Sequence, residues 1–225
     1  MSSRSPRRDE RATRERVLDA AMDLFGRQGY HATTVAQVEE AAGLRPGAGG
    51  LYRHFESKKA LLEAGLRRQF DAGRELLDLL DPAELDGSSR AGRFLAVARA
   101  GLRRLEEERD LNRLLLRDLA TFPDLLAEVR DRELRRVHAA LTAWLRGQDE
   151  GRSDADHAAL ASVLMGAVSH YWVLTDVFGG RHPLDVDEER YLRALASLAV
   201  ASSAGTELAQ RPPEAPDARS NHGTR

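Results

Sequence analysis

Apolar residues recur at three- and four-residue intervals along almost the whole chain, and strict alternation never persists, so the sequence predicts helices and no strand worth defending. A first helix is expected over Asp9 to Gln28. Val17, Leu18, Ala21, Leu24 and Phe25 share one face of it, and Gly29 stands where a helix stops. A second begins at Thr34, because Thr34-Val35-Ala36-Gln37 spells a capping box in which hydroxyl and amide satisfy first-turn N–H groups. Its inward face is Val35, Val38 and Ala41 or Ala42, and Gly43 ends it in a tight turn. A third, poorer helix is expected through Pro46 and Tyr52. Ser57 then caps a fourth that carries Leu61, Leu62, Leu66 and Phe70.

Asp81 to Ser89 reads as a loop. Beyond it the pattern predicts helices over 90–108, 111–120, 123–147, 153–178 and 187–204, punctuated by Pro123, Gly147, Gly151, Gly179, Gly180 and Pro183. Residues 205–225 have almost nothing to bury and are expected to form a disordered tail. The fold class is all-α, with no internal repeat.

Composition narrows the function classes. The 225 residues suffice for one or two domains with a sizeable core, and 42% are hydrophobic and 31% charged. With no cysteine there is no disulfide framework, no thiolate nucleophile and no cysteine-based metal site. The first ten residues lack an apolar core and no run of eighteen apolar residues occurs, so neither a signal peptide nor a membrane span is expected, and the cytoplasm is the expected compartment. The net charge of −2 hides an asymmetry: residues 1–60 carry +3 and residues 61–205 carry −5. Arg4, Arg7, Arg8, Arg11, Arg14 and Arg16 crowd the front, which is either an arm that meets phosphates or a merely solvated one.

Three short helices within about fifty residues, the second and third joined by a glycine-containing turn, form a helix-turn-helix whose second element can enter the major groove. Particular residues sharpen this reading: Thr33-Thr34-Val35, Val38, Ala41-Ala42-Gly43-Leu44, Gly50-Leu51-Tyr52-Arg53-His54-Phe55 and Ser57-Lys58-Lys59-Ala60-Leu61-Leu62. The string resembles the DNA-binding domain of the TetR family of bacterial transcriptional regulators, specifically over residues 12–66. Elsewhere the likeness is one of helix count and length. The resemblance implies that the Tyr52 hydroxyl and the His54 imidazole reach phosphate oxygens, that Leu51 and Phe55 are core, and that Lys58 binds phosphate at a helix start, with Lys59 a second candidate. The alternative for both lysines is a solvated helix start.

The recognition element departs from the commoner pattern. Seven residues, Leu44 to Gly50, separate Gly43 from Leu51, more than in many members, and Arg45 stands where Ser or Thr usually caps. Gly47, Gly49 and Gly50 each weaken a helix interior by about 1 kcal/mol relative to Ala, yet let backbone approach the groove. Few side chains remain to read bases. Arg45 suits guanine, Ala48 a thymine methyl, and Arg53 base or phosphate; Thr34 and Pro46 complete the candidate DNA-binding set.

Enzyme motifs are absent: there is no Gly-x-Ser-x-Gly, no Walker A loop and no His-Glu-x-x-His. Asp154, Asp156 and His157 allow either a metal cluster or, more simply, a helix start capped by Ser153 or Asp154, and no metal or cofactor is expected. The second domain offers pocket candidates in Arg117, Asp118, Phe122, Leu141, Trp144, His170, Tyr171, Trp172 and Asp176, which equally suit core or interface. Ala158, Ala159, Ala161, Ser162, Met165, Gly166 and Ser169, with Leu192, Leu195, Leu198 and Ala199, suit a four-helix interface between two subunits.

The expected organisation is therefore a disordered basic arm (1–8), a helix-turn-helix domain (9–56), a helical effector-binding and dimerisation domain (57–204) and the disordered tail (205–225). It implies a homodimeric regulator on a palindromic operator, acting as a repressor released by an apolar or aromatic effector. The competing reading is a helical protein-interaction module whose helix-turn-helix does not read DNA.

Overall fold

The computed structural model describes residues 6–72, 80, 89–148 and 156–203, and all regular structure among them is helical. Helix α1 spans Pro6–Gln28, so the arm expected to be disordered through residue 8 is helical from Pro6 onward. It ends at Gly29, whose φ of 98° is open to glycine at no steric cost, and whose N–H donates to Phe25 O at 3.0 Å. The capping box forms as read: ahead of α2 (Val35–Ala41), Gln37 N donates to Thr34 Oγ1 at 3.2 Å and Thr34 N to Gln37 Oε1 at 2.8 Å. Helix α3 spans Lys58–Ala72, with Ala60 N bonded to Ser57 Oγ at 3.0 Å.

The third helix expected near Pro46 and Tyr52 does not form as an α-helix. Its place is taken by turns and a single 3₁₀ turn over Leu51–Arg53. Gly47 and Gly49 sit at φ of 73° and 72°, outside the helical region.

Further along lie α4 (Arg90–Glu107) and α5 (Arg109–Arg117). The helix expected over 123–147 is α6 (Pro123–Val129), a π-type turn at Arg130–Leu134, and α7 (Arg135–Gln148). Helix α8 (His157–Val177) is capped by Asp156, which accepts from Ala159 N at 2.9 Å, in place of the expected Ser153 or Asp154, which lie outside the described residues. Helix α9 spans Glu188–Ser203. The loop over 81–88 and the tail also lie outside the described residues.

Two apolar clusters hold these elements. The first joins α1, α2 and α3 to Leu111, Leu114, Leu119, Leu125 and Val129, so its packing runs across the boundary expected at residue 56. Phe25 and Leu18 are almost wholly buried in it, each contributing roughly 1.5–3 kcal/mol. The second joins α4, α7, α8 and α9 around Phe94, Trp144, Trp172 and Leu192. By length and composition α8 could cross a membrane, but Ala161, Leu164, Val168, Tyr171 and Trp172 bury its inner face in this core.

Candidate functional site

The segment after α2 is built from its glycines and one acid. Arg45-Pro46-Gly47-Ala48 closes a turn with Ala48 N donating to Arg45 O at 3.3 Å; Pro at the second position and Gly at positive φ in the third are the type II pattern. Glu39, fully buried, accepts from Gly47 N at 2.7 Å through Oε2 and from Leu51 N at 3.0 Å through Oε1. Arg45, Pro46, Gly47, Ala48, Tyr52 and Arg53 are exposed, His54, Gly49 and Gly50 half-buried, and Leu51 and Phe55 buried.

Thr34 is engaged in its capping box. Lys58, to which the resemblance gives a phosphate role, is half-buried and already holds main-chain partners. Its ammonium donates to Tyr30 O at 2.8 Å and Thr33 O at 2.9 Å and lies 4.2 Å over the Tyr30 ring, so it brackets the α1–α2 turn. Burial pushes its pKa down, with the Asp118 charge acting in the opposite direction. Lys59 is paired with Asp124 at 2.6 Å, a bond that raises the lysine's pKa and lowers the acid's.

A cavity of about 180 Å³ opens in the second cluster, lined by Phe94, Trp144, Leu141, Met165, Val168 and Leu195 among others. Its polar wall consists chiefly of Arg104, Glu108, Asn112 and Glu133. Arg104 donates to Glu108 at 3.2 Å and makes a short contact with Glu133. Burial raises the Glu108 pKa, Arg104 opposes that shift, and the neighbouring Glu133 adds to it.

Of the pocket candidates, Leu141 and Trp144 line this cavity, and the others do not. Arg117 donates to Phe25 O at 2.6 Å and Gly26 O at 3.0 Å, and Asp118 accepts from Tyr30 N at 3.1 Å, so both clamp the end of α1. Phe122 packs edge-on against Tyr30 with centroids 4.9 Å apart. Tyr171 donates to Val186 O at 3.2 Å and Trp172 Nε1 to Glu106 at 3.3 Å, while Asp176 accepts both nitrogens of Arg113, at 2.9 and 2.8 Å. His170 faces solvent. Physically, the aromatic and charged groups at the helix ends found partners nearby, and the hollow formed deeper, where α4, α5, α7 and α8 meet.

The family profile describing bacterial regulatory proteins of the tetR family matches residues 17–64, from α1 to the first turns of α3. The HTH-type transcriptional regulator YvkB of Bacillus subtilis (strain 168) is 29% identical over 194 residues, covering 84% of this chain and 96% of that one. The HTH-type transcriptional repressor KstR2 of Rhodococcus jostii (strain RHA1) is 40% identical over 70 residues, 31% of this chain and 30% of its own. A solved TetR transcriptional regulator from Chloroflexus aurantiacus shares the fold with a TM-score of 0.66 at 25% identity, covering 86% of this chain and 96% of that one. Residues 17–64 thus form a DNA-binding domain of the TetR type. The chain is a DNA-binding transcriptional regulator.

Within this regulator, sequence reasoning missed Glu39 and the polar wall of the cavity. A signal for Glu39 existed: Val35, Val38, Glu39 and Ala42 fall at i, i+3, i+4 and i+7, which puts the acid on the inward stripe of α2. For Arg104, Glu108 and Glu133 no local pattern distinguished them from the many solvated charges of their helices. Among the expected interface residues, Ala161, Leu192, Leu195 and Ala199 are buried within the chain's own core.

Proposed function

We propose that this chain is a homodimeric repressor acting in the cytoplasm on a palindromic operator, released when a small, largely apolar or aromatic effector enters the cavity. One observation carries the reading: the two faces of α5. Leu111, Asn112 and Leu115 line the cavity, while Gly26 of α1 lies so close to α5 that an added Cβ would stand 2.5 Å from Asp110 Cα. Arg117 at the end of α5, with Asp118 just beyond it, grips the α1 terminus. A ligand that moves α5 by even part of an ångström therefore moves α1, and with it the reading surface, which is a shift between two states of different operator affinity.

In this reading the DNA-contacting set is Arg45, Ala48, Tyr52, Arg53 and His54, with the backbone of Pro46, Gly47, Gly49 and Gly50 close to the groove; Thr34 and Lys58 support it from behind. Exposed Ala159, Val163, Gly166 and His170 on α8 and Ala194, Leu198 and Ala201 on α9 follow the 4-3-4 and 4-3 spacing of a helical seam, which supports pairing of two copies through these helices. The chain then divides into a reader ending near residue 56 and a sensor behind it.

The test is binding of the purified protein to labelled DNA from upstream of its own gene, titrated with salt and competitor. Competitor-resistant binding that Arg45→Ala weakens by roughly 1–3 kcal/mol supports the reading; no preference over competitor DNA at physiological salt sinks it.

A further inference from the structure

We propose that Glu39 is the positioning residue that holds the DNA-reading segment as a pre-formed type II turn followed by a 3₁₀ turn, in place of a recognition α-helix. The inference rests on the DNA-binding reading above and adds the device that shapes the surface.

A carboxylate with no exposed surface is costly unless its oxygens are bonded, and here each oxygen takes a main-chain amide. Those amides, Gly47 and Leu51, flank the stretch that makes this segment longer and glycine-rich. In a type II turn the amide of the third residue is not used by the turn's own bond, which runs from Ala48 N to Arg45 O, so the Gly47 N–H needs an outside acceptor. Glu39 Oε2 is that acceptor. The Leu51 amide at the start of the 3₁₀ turn is an unpaired first-turn donor, and Glu39 Oε1 takes it.

The segment's own main chain cannot supply this shape alone. Glycines at 47, 49 and 50 leave it the largest freedom to lose on binding, and two bonds to one fixed acid remove that freedom beforehand. Space is limited as well: a Cβ at Gly50 would stand 3.3 Å from Leu44 Cδ1 and 3.7 Å from Glu39 Oε1, so the chain runs close over the carboxylate. Arg45 and Ala48 occupy the two ends of the turn that Glu39 fixes, and both are exposed. Their relative placement is thereby set by a residue that touches neither base nor phosphate.

Full-length wild type and Glu39→Gln are compared by titrating the DNA fragment from upstream of the gene against bulk competitor DNA, with thermal melts on both. The glutamine keeps the size but must turn an NH₂ toward one amide. Affinity for the specific fragment should fall about tenfold or more, while affinity for competitor, set by unchanged arginines, stays within about twofold. A merely structural role would lower the melting temperature without changing the ratio of specific to competitor binding. A variant that folds and keeps the wild-type ratio overturns the inference and leaves the regulator reading standing; a wild type without operator preference overturns both. If the variant does not fold, amide hydrogen exchange of the wild type decides. Slow exchange at Gly47 and Leu51 supports the pre-formed turn, and exchange as fast as in an unstructured peptide overturns it.

Discussion

The reading segment and the cavity wall both bury glutamates, and they satisfy them in opposite ways. Glu39 binds two main-chain amides, whose positions are fixed by the chain itself. Glu108 and Glu133 bind the guanidinium of Arg104, and Glu133 is also paired with Arg136 at 3.2 Å. Backbone partners define a shape and cannot rotate away, which suits a surface that must match DNA in one geometry. Side-chain partners can be exchanged for the polar end of a ligand, which suits the effector-accepting wall proposed above. Arginine, with five donors in a rigid fork, is the natural centre of such a wall.

The largest expected effect breaks the second arrangement. Arg104→Met leaves Glu108 without its guanidinium partner and Glu133 with Arg136 alone on the polar wall, and breaking a buried pair in this manner costs about 3–5 kcal/mol. Thermal denaturation at neutral pH should show it. The pH dependence has a definite sign. Burial holds the Glu108 pKa above its unfolded value, so the folded state binds the proton more tightly. Its contribution is most favourable below the unfolded pKa and is lost as pH rises through the folded one. Removing Arg104 raises that folded value further, so the variant's deficit should shrink on acidification toward the carboxylate range. A deficit that grows there would show that the guanidinium does not stabilise these carboxylates.

Next in size is the joint between the two regions. Gly26→Ala forces α1 and α5 apart against backbone, and overpacking of this kind costs about 1–3 kcal/mol. The same change should weaken the coupling. If effector response survives with only stability lowered, α5 is not the connecting element.

Legibility followed the same division. The capping box at Thr34, the stop at Gly29 and the core faces of α1 and α3 are local events, set by residues within one turn of each other, and the sequence predicted them. The third, poorer helix was expected from the pattern through Pro46 and Tyr52 despite the local chemistry of Pro46, Gly47 and Gly49, and the local chemistry prevailed, because Glu39 could receive the freed amides. The carbonyl partners of Lys58 were illegible on the same grounds: Tyr30 and Thr33 are 28 and 25 residues away in sequence but within bonding distance. The cavity wall was illegible because its charges come from α4, its junction with α5, and the π-type turn, and only the packing of those elements makes them neighbours.

A smaller effect, of opposite sign, probes the hollow itself. Gly101 lies inside α4 beside the cavity, and a Cβ there would meet only Val168 Cγ1 at 3.6 Å, an ordinary contact. Gly101→Ala should therefore stabilise the protein by about 0.5–1 kcal/mol in denaturant titration while narrowing the space for an effector. Destabilisation would mean that α4 has no room to spare at this point.

The smallest expected effect concerns the exposed pair of Lys59 and Asp124, which links α3 to α6. Lys59 holds the Asp124 carboxyl below its ordinary range, so whatever the pair contributes is present above the unfolded carboxylate pKa and is lost as pH falls through the folded one. Both groups are well solvated, and Asp124→Asn should leave the melting temperature at neutral pH unchanged within error. Its value lies in what it does to DNA binding. Removing the carboxylate leaves the Lys59 ammonium, two residues past Ser57, with only the longer 3.8 Å pair to Glu63. If that ammonium then reaches a phosphate, the salt dependence of binding steepens by about one unit per site, the slope expected for one further neutralised phosphate. An unchanged slope means that removing the Asp124 carboxylate adds no phosphate contact through Lys59.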